Sequence, residues 1–287
     1  MSLPKVASDH GFAVITGGSS GMGLATAKLL AARGMEVALV ARTPEKLESA
    51  RSEILASTPG ARVSIYSADL SDWSQTSAAF ESIFADHGVP DVLVNSAGVI
   101  YPGEFTSMPL EHFEINVSCG YWSVVYPCRA VAGMMAKRGS GHIINVSSVA
   151  GYLGIYGYTG YSSAKFAVVG FSEALRFEMR PEGVIVSCVC PPDTDTPALT
   201  FEHTLRPRET DVIAGNIKPI PAEKVAEAIV RSIGRDKFMV IPDALSAFYF
   251  RLKGLLPEVF YLIVDGDVAK ARKQKAAGEP AAEDASA

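Results

Sequence analysis

Cysteine, net positive charge and long unbroken apolar runs are all scarce in this sequence, and each scarcity excludes something. The four cysteines, Cys119, Cys128, Cys188 and Cys190, form no CxxC pair, and no His-rich partner sits at zinc spacing. Cys188 and Cys190 alternate along an apolar run and read as small buried residues. The five histidines are scattered and HExxH is absent, so no metal site is expected, and His142, at a strand start, reads as structural. A net charge of -5 offers no basic field to recruit nucleic acid, so that class of partner is set aside. The first ten residues, MSLPKVASDH, lack the apolar core of a signal peptide. A reducing, cytoplasmic compartment is expected, which agrees with the unpaired cysteines.

What is present is a chain of 287 residues, 48% hydrophobic, long enough for one large core or two small ones. Apolar runs and helical patterns alternate along it. Phe12–Thr16 reads as a buried strand, followed by a turn containing Gly17, Gly21 and Gly23, then by helix formers from Leu24. Strand, glycine-rich turn and helix together form a phosphate cradle: glycines let the backbone approach a pyrophosphate, and the helix start offers free N–H groups. Strands are expected at 36–41, 62–68, 92–94, 142–146, 184–189 and 238–241. Helices are expected at 44–57, along one stretch from 110 to 138, up to about 179 and at 222–233. The alternation predicts an α/β, Rossmann-type doubly wound parallel sheet with helices on both faces.

Arg42 follows the second strand where a dinucleotide fold meets the adenosine ribose; an acid there suits NAD, and an arginine suits the 2′-phosphate of NADP. Asp69 ends the third strand and caps either the adenine site or the helix from Asp72. Asn95, Ser96, Ala97 and Gly98 follow the fourth strand, and small residues there let a cofactor lie flat. Asn116 sits early in the long helix. Ser147 and Ser148 close the fifth strand. Tyr161 and Lys165 stand four residues apart, one helical turn on one face. A lysine cation beside a phenol lowers the phenol pKa and makes it a usable acid near neutrality. The segment Cys190–Pro197 is rich in proline and threonine, and 198–221 loses period and reads as a substrate lid.

Taken together, the glycine turn, Asp69, Asn95–Gly98, Asn116, Ser148, Tyr161 and Lys165 resemble the short-chain dehydrogenase/reductase family over about Gly11 to Ile241. Within that family the chain is most similar to the 3-ketodihydrosphingosine reductases. It shares Leu39–Arg42, Val125–Pro127, Arg129–Val131, Gly157–Phe166 and the Pro191–Pro197 stretch, with Pro192 where most members have glycine. The resemblance implies NADPH-dependent reduction of a hydrophobic long-chain 3-keto lipid. Tyr161 would protonate the carbonyl oxygen and Ser148 would bond it. Lys165 would lower the tyrosine pKa and hold the nicotinamide ribose, and Asn116 would place a relay water. The NADP(H) set it implies is Gly17, Ser19, Ser20, Gly21, Met22, Gly23, Arg42, Asp69, Leu70, Asn95, Ala97, Gly98, Tyr161, Lys165, Pro191, Thr194 and Thr196, the two threonines holding the carboxamide. The alternatives are another carbonyl substrate (a steroid, a retinoid or a 3-oxoacyl thioester) and a non-enzymatic NADP-binding protein.

The family also implies a homodimer or tetramer, with Phe166, Val169 and Phe171 offering apolar surface. Residues 1–242 would form the catalytic domain and 243–273 an apolar extension. Within it, 245–264 is interrupted by Arg251, Lys253, Pro257 and Glu258. That pattern predicts a broken pair of helices. They would either lie on a membrane surface, with Phe248, Tyr249, Phe250, Phe260 and Tyr261 inserted, or pack on the core or a partner subunit. The tail 274–287 is expected to be disordered.

Overall fold

Apolar residues fill consecutive positions of the inner strands, as burial of a sheet on both faces requires. A computed structural model describes residues 10–214 and 218–277. The first half contains β1 (Phe12–Thr16), α1 (Gly21–Ala32), β2 (Glu36–Ala41), α2 (Pro44–Ser57), β3 (Val63–Ser67), α3 (Trp73–His87) and β4 (Val92–Asn95). Next come α4 (Leu110–Val117), a π-helical turn (Ser118–Trp122), α5 (Ser123–Arg138), β5 (Gly141–Val146), α6 (Thr159–Met179) and β6 (Val184–Val189). The chain continues through β7 (Thr194–Asp195), α7 (Pro197–His203), α8 (Arg208–Ala214), β8 (Ile220–Pro221), α9 (Ala222–Ser232) and β9 (Met239–Val240). It closes with α10 (Ala244–Leu255) and α11 (Pro257–Ala277).

Seven strands pair in parallel in the order β3-β2-β1-β4-β5-β6-β9, the doubly wound sheet expected from the sequence. Strand order reverses between β1 and β4, which opens a crevice at their carboxyl ends. Alternate residues feed two cores. Val14, Val40, Leu93 and Ile143 pack with Phe80 of α3 and Val131 of α5. Ile15, Leu39, Val94 and Ile144 pack with Leu30 of α1, Ile54 of α2 and Ile229 of α9. Each such buried side chain contributes roughly 1.5–3 kcal/mol. His142 is buried in β5, bonded to Ser187 at 2.9 Å and accepting from the Gly234 N–H at 3.2 Å. Burial pushes its pKa down to about 3, so it is a neutral structural residue.

Three local expectations change. The single helix from 110 to 138 is broken by the π turn at Ser118–Trp122. Gly120 there comes so close to α6 that a β-carbon on it would lie 2.9 Å from the Ala164 side chain. The aperiodic 198–221 stretch contains two short helices, α7 and α8; residues 215–217 lie outside the described residues. The helix α11 runs past Lys273 to Ala277, and the rest of the expected tail, 278–287, lies outside the described residues.

The C-terminal helices break at Leu256, just before Pro257. The inner face of α10 is docked on the core: the Tyr152 hydroxyl donates to Ser246 O at 3.0 Å, and Lys253 donates to Tyr152 O at 2.6 Å. Phe260 is buried, and Tyr249 packs against the core, so these two and Lys253 are not the outward groups expected. They lie inward because Lys253 finds the Tyr152 carbonyl and the Phe166 ring, 5.1 Å from its nitrogen. Of the five aromatics expected outward, Phe248, Phe250 and Tyr261 are exposed, together with Leu255, Leu256, Leu262 and Ile263. Val169 and Phe171 also pack against the core, leaving Phe166 and Phe177 as exposed apolar residues of α6. Among the described residues no helix is long and apolar enough to cross a membrane.

Candidate active site

The crevice between β1 and β4 is a cleft of about 300 Å³ with the glycine turn at one wall. Gly17 has φ 65°, and a β-carbon there would lie 2.7 Å from Ser96 O. A β-carbon on Gly23 would lie 2.3 Å from Gly17 O, so this glycine lets α1 close onto the turn. Gly21, at φ 53°, faces the cleft with Ser19, Ser20 and Met22. Ser20 is the N-cap of α1, but its side chain makes no capping bond. The N–H groups of that first turn are thus not taken by a side-chain cap, and the positive end of the helix dipole points at the cleft.

Arg42 and Lys46 both line the far end of the cleft, Lys46 in the first turn of α2. Asp69 and Leu70 form the adjoining wall. Of the two roles open to Asp69, the helix cap goes to Asp72, whose carboxylate accepts from the Gln75 N–H. Asp69 accepts from the backbone N–H and the hydroxyl of Ser71, at 2.9 and 2.7 Å, and shapes the wall.

At the end of β4, Ser96, Ala97 and Gly98 line the cleft. Asn95 is fully buried, and its amide donates to Asn145 Oδ1 at 2.9 Å and to Cys128 Sγ at 3.2 Å. Asn145 in turn donates to Ser172 at 2.9 Å. Asn95 therefore ties β4 to β5 and does not face the cleft.

Tyr161 and Lys165 close the opposite end of the cleft from one face of α6. Lys165 is buried and donates from Nζ to Val146 O at 3.1 Å, with Nζ 5.6 Å from the Tyr161 ring centre. Burial pushes its pKa down to about 8, partly opposed by Cys188 and Cys190. Ser148 acts on Tyr161 to lower its pKa, and its Oγ accepts from the Ala150 N–H at 3.1 Å. The hydroxyl of Ser147, which lines the cleft, donates to Lys165 O at 2.9 Å. Lysine alone predicts a phenol of lowered pKa. Here burial, then the negative charge of Glu202, raise Tyr161 well above the usual phenol value, with Ser148 opposing.

Asn116 spends its amide on one partner: Nδ2 donates to Tyr101 O at 2.8 Å and Oδ1 accepts from Tyr101 N at 2.9 Å. Its side chain holds the 101 loop beneath α4 and makes no bond to Lys165. Thr196 lines the cleft and caps α7 by accepting from the Leu199 N–H. The Thr194 hydroxyl is turned back to Pro192 O at 2.8 Å, and neither Thr194 nor Pro191 lines the cleft. Sequence reasoning passed over Lys46, Cys119, Ser123 and Pro197 as lining residues. Lys46 was open to detection as the next cation along the chain after Arg42, at the start of the expected helix. The others face the cleft only because of the π turn and the α7 cap.

The cleft fits a dinucleotide. It runs from two cations, past a glycine turn and a helix N-terminus, to a tyrosine and a lysine. Among the described residues no cluster able to hold a metal ion occurs.

The short chain dehydrogenase family model matches residues 11–205. The 3-ketodihydrosphingosine reductase of Bos taurus is 39% identical over 239 residues, spanning 79% of this chain and 72% of that protein. A short-chain dehydrogenase from Sphingobium yanoikuyae solved in complex with NADPH superposes with a TM-score of 0.73 at 25% identity, covering 88% of this chain and 95% of the other. A family member from Burkholderia phymatum solved with NAD gives a TM-score of 0.77 at 25% identity over the same shares. With the Tyr161–Lys165 pair and the glycine turn meeting in one crevice of a parallel sheet, the chain belongs to the short-chain dehydrogenase/reductase family, and it is an oxidoreductase of CH–OH and C=O groups.

Proposed function

We propose that this enzyme uses NADPH to reduce a long-chain 3-keto sphingoid base of the 3-ketodihydrosphingosine type to its secondary alcohol. The observation that carries the reading is the placement of Tyr161, beside Lys165, at the end of a cleft whose other end holds Arg42 and Lys46. NADPH, when bound, supplies the hydride. Gly17, Gly21 and the first turn of α1 would hold its pyrophosphate, and Arg42 with Lys46 its 2′-phosphate. Lys165 would bond the nicotinamide ribose. Ser148 donates to the substrate carbonyl oxygen and fixes it near Tyr161. Tyr161 gives its hydroxyl proton to that oxygen as the carbon is reduced, and its raised pKa keeps the proton in place until then. The similarity to the reductase of Bos taurus supports the choice of ketone.

A long-chain ketone partitions into membrane, and the exposed face of α10 and α11 supports peripheral membrane contact by an otherwise cytoplasmic, homo-oligomeric enzyme. The test is turnover of a panel of 3-ketodihydrosphingosine, a steroid ketone, a retinoid aldehyde and a 3-oxoacyl thioester, with NADPH and NADH compared. The sphingoid ketone with NADPH should give the highest kcat/KM. A preference for the thioester or steroid would overturn the substrate, and a preference for NADH would overturn the cofactor. No turnover of any member would sink the ketone reading as a whole.

A further inference from the structure

One buried ionic cluster lies behind the residues assigned to the reaction above. Tyr158, immediately before α6, packs edge-to-face on Tyr161 with ring centres 6.0 Å apart. Its hydroxyl donates to Glu202 Oε1 on α7. Arg206, in the turn after α7, donates Nε to the same oxygen at 2.9 Å and Nη2 to Asp193 at 2.7 Å. Its guanidinium lies over the Tyr158 ring, 5.8 Å from the centre, and its Nη1 stands 3.8 Å from Asp211 of α8. Glu202 is 6% exposed and Tyr158 4%.

Burying charges costs several kcal/mol per ion, and apolar residues of the same volume often serve stability as well or better. The cluster therefore calls for a role besides stability. It joins the turn after β6, α7 and the start of α6, and two of these meet the cleft through Thr196 and Tyr161. Three carboxylates, those of Asp193, Glu202 and Asp211, surround one guanidinium. Burial raises the Glu202 carboxyl above its usual range, while Arg206 and Tyr158 oppose that by bonding its ionised form.

We propose that Glu202 and Tyr158 are positioning residues for Tyr161: the cluster fixes the plane of the Tyr161 ring and sets net negative charge beside its hydroxyl. Negative charge near a phenol disfavours the phenolate, so Tyr161 is kept as a proton donor, which suits reduction more than oxidation. The titratable and charged groups facing Tyr161 are Lys165 on its own helix, Tyr158 before it, Cys190 and Asp193 after β6 and Glu202 on α7, with Arg206 behind them over the Tyr158 ring. Lys165 and Arg206 pull toward the phenolate; the carboxylates pull away from it.

This inference rests on Tyr161 being the proton donor of the proposed reaction, so Tyr161→Phe is measured alongside. The experiment follows kcat for 3-ketodihydrosphingosine reduction by the full chain with NADPH as pH rises. In Glu202→Gln the alkaline limb should move down by roughly one pH unit, the low end of the effect of a nearby charge, with the KM for NADPH unchanged. Tyr158→Phe keeps the ring and loses the bond to Glu202, and should lower kcat several-fold at unchanged KM for the ketone. An unchanged kcat removes Tyr158 from the proposal. If Glu202→Gln does not fold, Asp193→Asn takes one charge from the more exposed side of the cluster and must move the limb the same way. Limbs that coincide with wild type, with Tyr161→Phe inactive, overturn this inference alone. An active Tyr161→Phe overturns the inference together with the reading of the proton donor.

Discussion

Lys165 anchors its ammonium on the carbonyl oxygen of Val146, 3.1 Å away, at the end of β5 and not on a carboxylate. A buried lysine held by one neutral acceptor is charged at a cost, and its pKa near 8 records that cost. The folded-state value lies below the unfolded value of about 10.4, so between them the unfolded chain binds more protons. Stability contributed by this group therefore rises as pH climbs from about 8 to 10. Lys165→Met should raise the melting temperature at pH 7, by a free energy of at most about 3 kcal/mol. That advantage should shrink toward pH 10. Thermal unfolding of both proteins across this range is the check, and a gap independent of pH would contradict it.

Tyr161→Phe removes the proton and keeps the ring in its contact with Tyr158. Turnover should fall roughly 10²–10⁴-fold. NADPH binding, read by fluorescence, should be unchanged.

Arg42→Asp should weaken NADPH and move preference toward NADH, because attraction to a 2′-phosphate becomes repulsion. Lys46 lines the same end of the cleft, so Lys46→Ala should weaken NADPH in the same sense and leave NADH nearly untouched. The ratio of kcat/KM values for the two cofactors measures both.

Leu255 is 79% exposed and Leu262 73%. The double substitution Leu255→Glu, Leu262→Glu should abolish sedimentation with phospholipid vesicles while leaving the melting temperature and short-chain ketone turnover in place. A lower melting temperature and loss of short-chain turnover along with vesicle binding would assign the face to a contact with a partner subunit instead. Unaltered vesicle binding would exclude these helices as the contact.

Strand identity was open to reading because consecutive apolar runs such as Val37–Val40 and Val92–Val94 have no other stable home than a sheet buried on both faces. The Tyr161–Lys165 face followed from helical spacing alone. What spacing cannot convey is the direction of a polar side chain in three dimensions. Asn95 and Asn116 carry amides suited to a ligand, yet one is consumed by Asn145 and the other by the Tyr101 backbone. Phe260 and Lys253 sat in an apolar, basic pattern fit for a bilayer, and the Tyr152 carbonyl and the core claimed them. The Glu202–Arg206 cluster was hidden for the same reason. Its partner Tyr158 lies 44 residues from Glu202, in an unrelated stretch of sequence.

The π turn at Ser118–Trp122 makes the length of this stretch a variable in its own right. An α-helix advances about 100° per residue, so the wider turn is equivalent to one residue inserted into a regular helix. Deleting a single residue there would restore an unbroken ladder and turn α4 relative to α5 by up to about 100°, the advance of one residue. Asn116 would be carried away from Tyr101 while Ser123 kept its place, detaching the loop that floors the cleft without altering any side chain in it.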